Sequence, residues 1–453
     1  MKKLLYTSII LAIILSITSC EKMIEIDLPT DQINTENVFK DKRSANAALT
    51  NLYINLRESS IYTGNSQGIG TSLALYTDEL ESLSTSPTAD SFVLFNNLLD
   101  PTKNILSNIW NTSYTHIYAI NSFINGVVKS ETISKEEKLQ LLGEGYILRA
   151  MYYQALTQLF GDIPYTTSTD YKTNTTIKKT SSFEVLNYIE KDLLQANENL
   201  SYTYRSIDRY YPNKAVAELI LAKNYLLQKN YEKAEFYATL VKDNSMYNLE
   251  TDLNKVFKNT AKSTLWQLSN SNNTAATYEA RNYVMITSNW TSRLTNSLLN
   301  SFDNNDLRKI EWVKLYPNTT NNFAFKYKNH LTNTDECSIL FRLEEAYFIL
   351  SESLIYQNKQ DKATFYLNTI RQRAGLSPLL NTLNKDQVLL AMLEESKKEF
   401  FLEHGRRFFD LKRNNKLSLL KSTKINWQDK HALFPYPEKE LLINPNLNPQ
   451  NEY

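Results

Sequence analysis

Residues 143–165 read GEGYILRAMYYQALTQLFGDIPY, in which an acid, an arginine and three tyrosines are set into a helix-like run that stops at Gly161-Asp162-Ile163-Pro164. Upstream, Ser134 and Glu137 have the spacing of a capping box, which predicts a helix starting near Lys135. It should run to Phe160, about 26 residues and roughly 39 Å. Gly161 suits a C-terminal cap, and Pro164 blocks continuation. From Tyr146 onward the run is apolar almost all round, so the helix should be buried and central. Glu144, Arg149 and Asp162 offer an acid, an electrophile and a base. Yet Glu144 and Arg149 are five residues apart and do not share a helix face, and burying such groups unpaired is costly. We read them as groups that pair with neighbours and cap helices.

Outward from this segment the chain is largely helical. Helices are predicted at 41–59 and 104–128, where apolar residues recur at helical spacing, with an irregular stretch over 60–103 between them. Ser181 and Glu184 have capping-box spacing ahead of an amphipathic helix reaching Leu200. Beyond Pro212, placed as a first-turn proline, helices are expected at 213–228 and 231–243, and another pair at 342–356 and 361–373. Leu221, Ala222, Tyr225 and Ala234 of the first pair align with Leu350, Ser351, Leu354 and Ala363 of the second. That is the spacing of a tetratricopeptide helix hairpin, although the pairs are too far apart in sequence to form a tandem array. Residues 244–341 are rich in Asn, Thr and Ser, with short strands expected at Thr264–Leu268 and Phe323–Lys328. A stretch so long and unpatterned points to function. A further helix is expected over Asp386–Glu403, and the Pro- and Asn-rich tail from Pro435 should wrap the surface.

The first twenty residues stand apart. Lys2 and Lys3 precede an apolar run from Leu4 to Ile17, then Thr18-Ser19-Cys20, the pattern of a signal peptide (1–19) with a lipidation cysteine at Cys20. Residues 20–40 read as the lipidated terminus and a tether, and 41–453 as one large helical domain with a loop-rich insert at about 244–341. Losing Lys2 and Lys3 takes the net charge from +1 to −1, so the expected membrane anchor is lipid rather than electrostatic. A near-neutral chain gives no basic face for nucleic acid. With nine glycines and neither phosphate-loop pattern, a nucleotide cofactor is not expected. Cys337 is the one cysteine besides Cys20, and four scattered histidines form no ligand pair, so no metal or other cofactor is expected. Asp303-Asn304-Asn305-Asp306 lacks the glycine and distal glutamate of a calcium loop and reads as a helix cap. Glu403-His404-Gly405-Arg406-Arg407, with Asp410, reads as a helix end with Phe408 and Phe409 packing inward, not as catalysis.

In order, 143–165, SSFEVLNYIEKDLLQANENL (181–200), KAVAELILAKNYLLQKNYEKAEFYA (214–238), FRLEEAYFILSESLIYQNKQDKATFYLNTIRQRAGL (341–376), EESKKEFFLEHGRRFFDLKRNNKL (394–417) and ALFPYPEKELLINPNLNPQNEY (432–453) resemble the SusD/RagB family of Bacteroidetes outer-membrane lipoproteins. Ser396 and Lys397 depart from the Arg-rich pair commoner there. The resemblance implies an all-α-dominated SusD-like fold with tetratricopeptide-type hairpins, a few short strands and a loop-rich binding region. It further implies a cell-surface protein without enzymatic activity that captures oligosaccharide or peptide. Such a protein acts as the lid of a SusC/RagA-type TonB-dependent transporter.

No residue-level binding motif carries over, so the site is read from chemistry. Neutral polyhydroxylated ligands need aromatic faces and amide or guanidinium donors on irregular backbone. Phe92 and Asn96, beside Phe95 and Asn97, supply these in the first irregular stretch. Tyr278, Tyr283, Trp290 and Arg293, with Arg281, supply them in the second, and Trp290 is the foremost candidate. Trp110 and Trp266 lie in periodic segments and are assigned to the core. Two rivals stand beside this reading. A helical surface glycan hydrolase would need two carboxylates converging within about 5–10 Å, and a pure tetratricopeptide-type adaptor would leave 244–341 dispensable.

Overall fold

The computed structural model describes residues 39–287 and 290–453. The expected signal peptide, Cys20 and most of the tether therefore lie outside the described residues. Among the described residues, eleven longer helices carry the scaffold: α1 (Lys42–Glu58), α2 (Ile69–Tyr76), α3 (Asn104–Lys129), α4 (Lys135–Phe160), α5 (Ser182–Asn199), α6 (Lys214–Leu227), α7 (Tyr231–Asp243), α8 (Glu344–Tyr356), α9 (Gln360–Arg373), α10 (Lys385–Phe400) and α11 (Arg406–Arg413). The described strands form antiparallel pairs: Leu80–Ser82 with Ser292–Leu294, Ile163–Pro164 with Lys179–Thr180, Thr264–Leu268 with Ser338–Arg342, and Val313–Leu315 with Asn322–Ala324. Among the described residues, no helix is long and apolar enough to cross a membrane.

Helix α4 is the centre, as its sequence predicts. Ser134 and Glu137 exchange the capping-box bonds at its start, and Gly161 takes φ +80° at its end. It packs against both α3 and α5. Its charged groups are joinery. Arg149 donates to both oxygens of Asp192 (2.8 and 2.7 Å) and to Asn121 Oδ1. Glu144 accepts from Tyr53 and Gln140, while Asp162 accepts the Ser182 N–H and hydroxyl at the start of α5.

The two aligned hairpins, α6–α7 and α8–α9, are neighbours in space: α7 packs against α8. The array that sequence distance had argued against is rebuilt by folding, with the intervening residues looping out. The small positions are sealed, with Ala222, Ala234, Ser351 and Ala363 each fully buried. A small residue there lets paired helices approach closely.

Other expectations need correction. Residues 60–103 are not simply irregular, because α2 lies there with all eight residues buried; a helix buried all round carries no amphipathic stripe to read. The strand expected at Phe323–Lys328 is confined to Asn322–Ala324. Beyond it, Lys326 turns inward and donates to the Glu399 and Phe401 carbonyls, both at 2.9 Å. Pro212 precedes the N-cap Asn213 rather than occupying the first turn. At α5, Ser181 accepts the Glu184 N–H but donates its hydroxyl to the Glu184 carboxylate, so the box closes on one side only. Helix α10 ends at Phe400, with Leu402 and His404 at positive φ. The tail does more than wrap the surface. Phe434 N–H reaches the Leu159 carbonyl, Tyr436 O–H the Asp162 carbonyl and Asn451 the Phe160 carbonyl. The Phe434 and Asn451 bonds take up carbonyls that the end of α4 leaves without helical partners.

Candidate functional site

The two stretches that lack helical periodicity meet. Leu80–Ser82 from the first pairs with Ser292–Leu294 from the second, with Glu81 opposite Arg293. The Leu83 N–H to Thr291 carbonyl bond (2.8 Å) extends the ladder. A 3.1 Å Ser82–Ser91 hydroxyl bond ties in the short helix Asp90–Phe95. On the other edge stands the hairpin Val313–Leu315/Asn322–Ala324: Arg293 Nη1 donates to Asn321 Oδ1 at 2.8 Å, and the Trp290 ring meets Tyr316 edge-on, centroids 4.3 Å apart. One layer thus forms from three loop segments.

Within it the six candidates have different occupations. Trp290 is half-buried, whereas Trp110, Trp266, Trp312 and Trp427 are all in the core, so it alone of the five tryptophans is not sealed. It lines a recess of about 230 Å³ with Tyr283, Arg281 and Asn282. Arg293 forms a two-pronged pair with Glu81, both contacts 2.9 Å, and the hydrogen bonds it donates to that carboxylate raise its pKa. Tyr283 presents its ring to the recess but turns its hydroxyl inward to Thr71 Oγ1 (2.8 Å); burial raises its pKa. Tyr278 is directed to α1, donating its hydroxyl to Glu58. Phe92 and Asn96 are half-buried on the Ser91 side, and the Asn96 amide donates to the Phe92 carbonyl at 2.9 Å. The structure therefore gathers Tyr283, Trp290 and Arg293, holds Phe92 and Asn96 across the Ser82–Ser91 link, and spends the Tyr278 hydroxyl elsewhere. Sequence reasoning missed Tyr316 and Glu81. Tyr316 heads the turn-like run Tyr316-Pro317-Asn318-Thr319, the one local signal that pointed to it.

Beneath this layer, charge is used for construction. Asp78, next to the strand bearing Glu81, accepts from Lys397 Nζ (2.7 Å) and from Arg407 Nε (3.0 Å). Burial pushes the Asp78 carboxyl up, but Arg407 and Lys397 outweigh it and hold the group well below the ordinary carboxylate range. Lys397 is thus a working ion-pair partner despite its departure from the family's usual residue, and Ser396 donates to Asp410 Oδ2 at 2.6 Å. Glu79 faces the same cations yet forms no such pair; burial and the neighbouring Asp78 raise it to about 8. His404 bonds the Ile339 carbonyl at 3.0 Å, and Asp306 caps the helix Leu307–Trp312 through the Arg308 N–H. Glu58 at the end of α1 and, in the loop layer, Glu81 and Glu279 are engaged, by Tyr278, Arg293 and Ser338. The layer presents an aromatic edge, amides and a neutralised guanidinium–carboxylate pair, groups suited to stacking and hydrogen bonding.

Residues 28–226 match the family described as "Starch-binding associating with outer membrane", and residues 165–453 match the SusD family. SusD-like protein P25 of Formosa agariphila is 22% identical over 508 residues, covering 96% of each chain. The crystal structure of a SusD superfamily protein from Bacteroides vulgatus superposes with TM-score 0.80 at 20% identity, covering 91% of this chain and 99% of that one. Surface glycan-binding protein A from Bacteroides thetaiotaomicron, solved with laminarihexaose, gives 0.76 at 17% identity, with 91% and 99% coverage. The family match runs over more than half of the sequence: the chain belongs to the SusD family.

Proposed function

We propose that this protein is a non-enzymatic, cell-surface glycan-binding lipoprotein that captures oligosaccharide at the Trp290 layer. It delivers the sugar to a TonB-dependent outer-membrane transporter of the SusC/RagA type, which it covers as a lid. Residues 1–19 serve as the signal peptide and Cys20 carries the lipid; 20–40 tether the 41–453 domain, whose insert at about 244–341 supplies most of the site. The observation that carries this reading is the convergence of the two aperiodic stretches on the one unsealed tryptophan, set beside Tyr316, Tyr283 and the Arg293–Glu81 pair. A structural neighbour solved with laminarihexaose supports a glucan-type oligosaccharide as the first ligand to try. Peptide is the alternative cargo.

The test is calorimetric titration of the chain lacking residues 1–19 with neutral and anionic oligosaccharides, followed by chromatography of the recovered sugar. Saturable binding with intact sugar is expected. Shortened products, or binding of peptides with no glycan bound, would overturn the reading. Co-purification with an outer-membrane barrel from detergent extracts tests the lid.

A further inference from the structure

A second, larger cleft of about 560 Å³ lies between α3, residues 164–177 and the C-terminal tail, and shares no lining residue with the Trp290 recess. Its walls are braced. Tyr114 O–H donates to the Pro164 carbonyl (2.8 Å), and Asn121 and Tyr153 both donate to the Thr166 carbonyl (2.9 and 2.8 Å). From the tail, Asn444 and Asn446 donate to the Ile177 and Thr176 carbonyls, both at 2.8 Å. These bonds fix the opening before any ligand arrives, which lowers the ordering cost of binding.

The rim is different. Tyr118 and Tyr171 are 52% and 69% exposed. Asn111 and Thr115 precede Tyr118 on the same face of α3, at the i, i+4 and i+7 positions. Among the described residues, none of these four side chains, nor that of Glu440 on the tail wall, has a hydrogen-bonding or ionic partner, and no lysine or arginine lines the cleft. Glu440 is half-buried and near Tyr114, and desolvation raises its pKa. An anionic ligand would meet an unpaired carboxylate with no cation to offset it. An uncharged polyol offers hydroxyl donors to Glu440 and apolar ring faces to the tyrosines.

We infer that this cleft is a second binding site, for a neutral oligosaccharide, separate from the Trp290 layer. It goes beyond the proposed function in giving the protein two glycan contacts, so that a long polysaccharide can be held at two points. Two linked contacts raise avidity with no new chemistry at either.

The test uses the chain lacking residues 1–19, titrated with neutral hexaoses of β-1,3-glucan, α-1,4-glucan, xylan and mannan, and with polyuronate hexaoses. Calorimetry gives stoichiometry, and hydrogen exchange follows residues 111–121 and 166–175. Two sites for a neutral hexaose are expected, with protection of both segments. Trp290→Ala should leave the cleft site intact. Tyr118→Ala with Tyr171→Ala should weaken the cleft site about tenfold, with an unchanged melting temperature because both rings are exposed. Glu440→Gln, which keeps the shape, should weaken it several-fold. A single site abolished by Trp290→Ala would overturn the cleft and leave the first reading standing. A single site lost only in the tyrosine variant would support the cleft and overturn the Trp290 site. Absence of any glycan binding would overturn both. Protection of 111–121 by polyuronates, or by peptides in place of neutral hexaoses, would overturn the ligand class.

Discussion

Arg308 and Arg293 make the same chemical contact in two regions of the molecule. Arg308 is fully buried and faces Asp306, Glu395 and Glu399 beneath α10. Arg293 is 31% exposed in the loop layer and faces Glu81, exposed to the same degree, with Asn321 at its third nitrogen. The buried guanidinium is one node in a lattice that continues through Arg342, Arg373 and Glu344. The exposed one stitches together two loops. Identical pairs therefore serve opposite ends: in the scaffold, charge has been taken from water and must stay matched, while in the layer it stays hydrated and can be rearranged by a ligand.

The hardest way to break that contrast is at the scaffold. Arg308→Ala leaves the buried Asp306 without its cation and removes one partner each from Glu395 and Glu399, and should cost about 3–5 kcal/mol, read as a fall in the denaturant midpoint. A loss of less than about 1 kcal/mol would show the two regions to be alike.

Acid should reach the scaffold's buried ion pairs next. Burial raises Asp410, but Arg406 and Arg413 outweigh it and bring its pKa down from 3.8 to about 2. A depressed folded pKa gives stability that is complete above the unfolded value and lost as pH falls through the folded one. Asp410 alone should thus contribute about 2 kcal/mol, lost between pH 3.8 and about 2. Asp78 and Glu399 shift in the same direction and add to the slope. Glu79, raised from 4.5 to about 8, acts with the opposite sign and in a higher window: its contribution falls as pH rises through that range and is silent in acid. Denaturant titrations at stepped pH check this, and Asp410→Asn should flatten the acid limb.

In the loop layer the effects move from stability to binding. Trp290→Ala should weaken oligosaccharide binding by about 1–3 kcal/mol and leave the melting temperature nearly unchanged. A large loss of stability would instead make Trp290 a core residue. Smallest of all, Arg293→Ala should change stability by about 0–1 kcal/mol, with any further effect confined to affinity and to the order of the 316–321 turn.

Much of this was legible in the chain. The limits of α4, its capping box and its glycine stop are set by residues within a few positions of one another. So are the two hairpins, the burial of Trp110 and Trp266, and the cap at Asp306. The irregular stretches were legible only as places where periodicity fails. Their composition nominated Trp290 and Arg293, but it could not pair Arg293 with Glu81, 212 residues away, or bring Tyr316 to Trp290. Nor could it find α2, whose complete burial erases the amphipathic signal, or restack hairpins separated by more than a hundred residues. Caps and helical spacing are local and carry their own signal. Strand partners, ion-pair lattices and the walls of a cleft depend on which distant surfaces meet, and only the packed tertiary structure decides that.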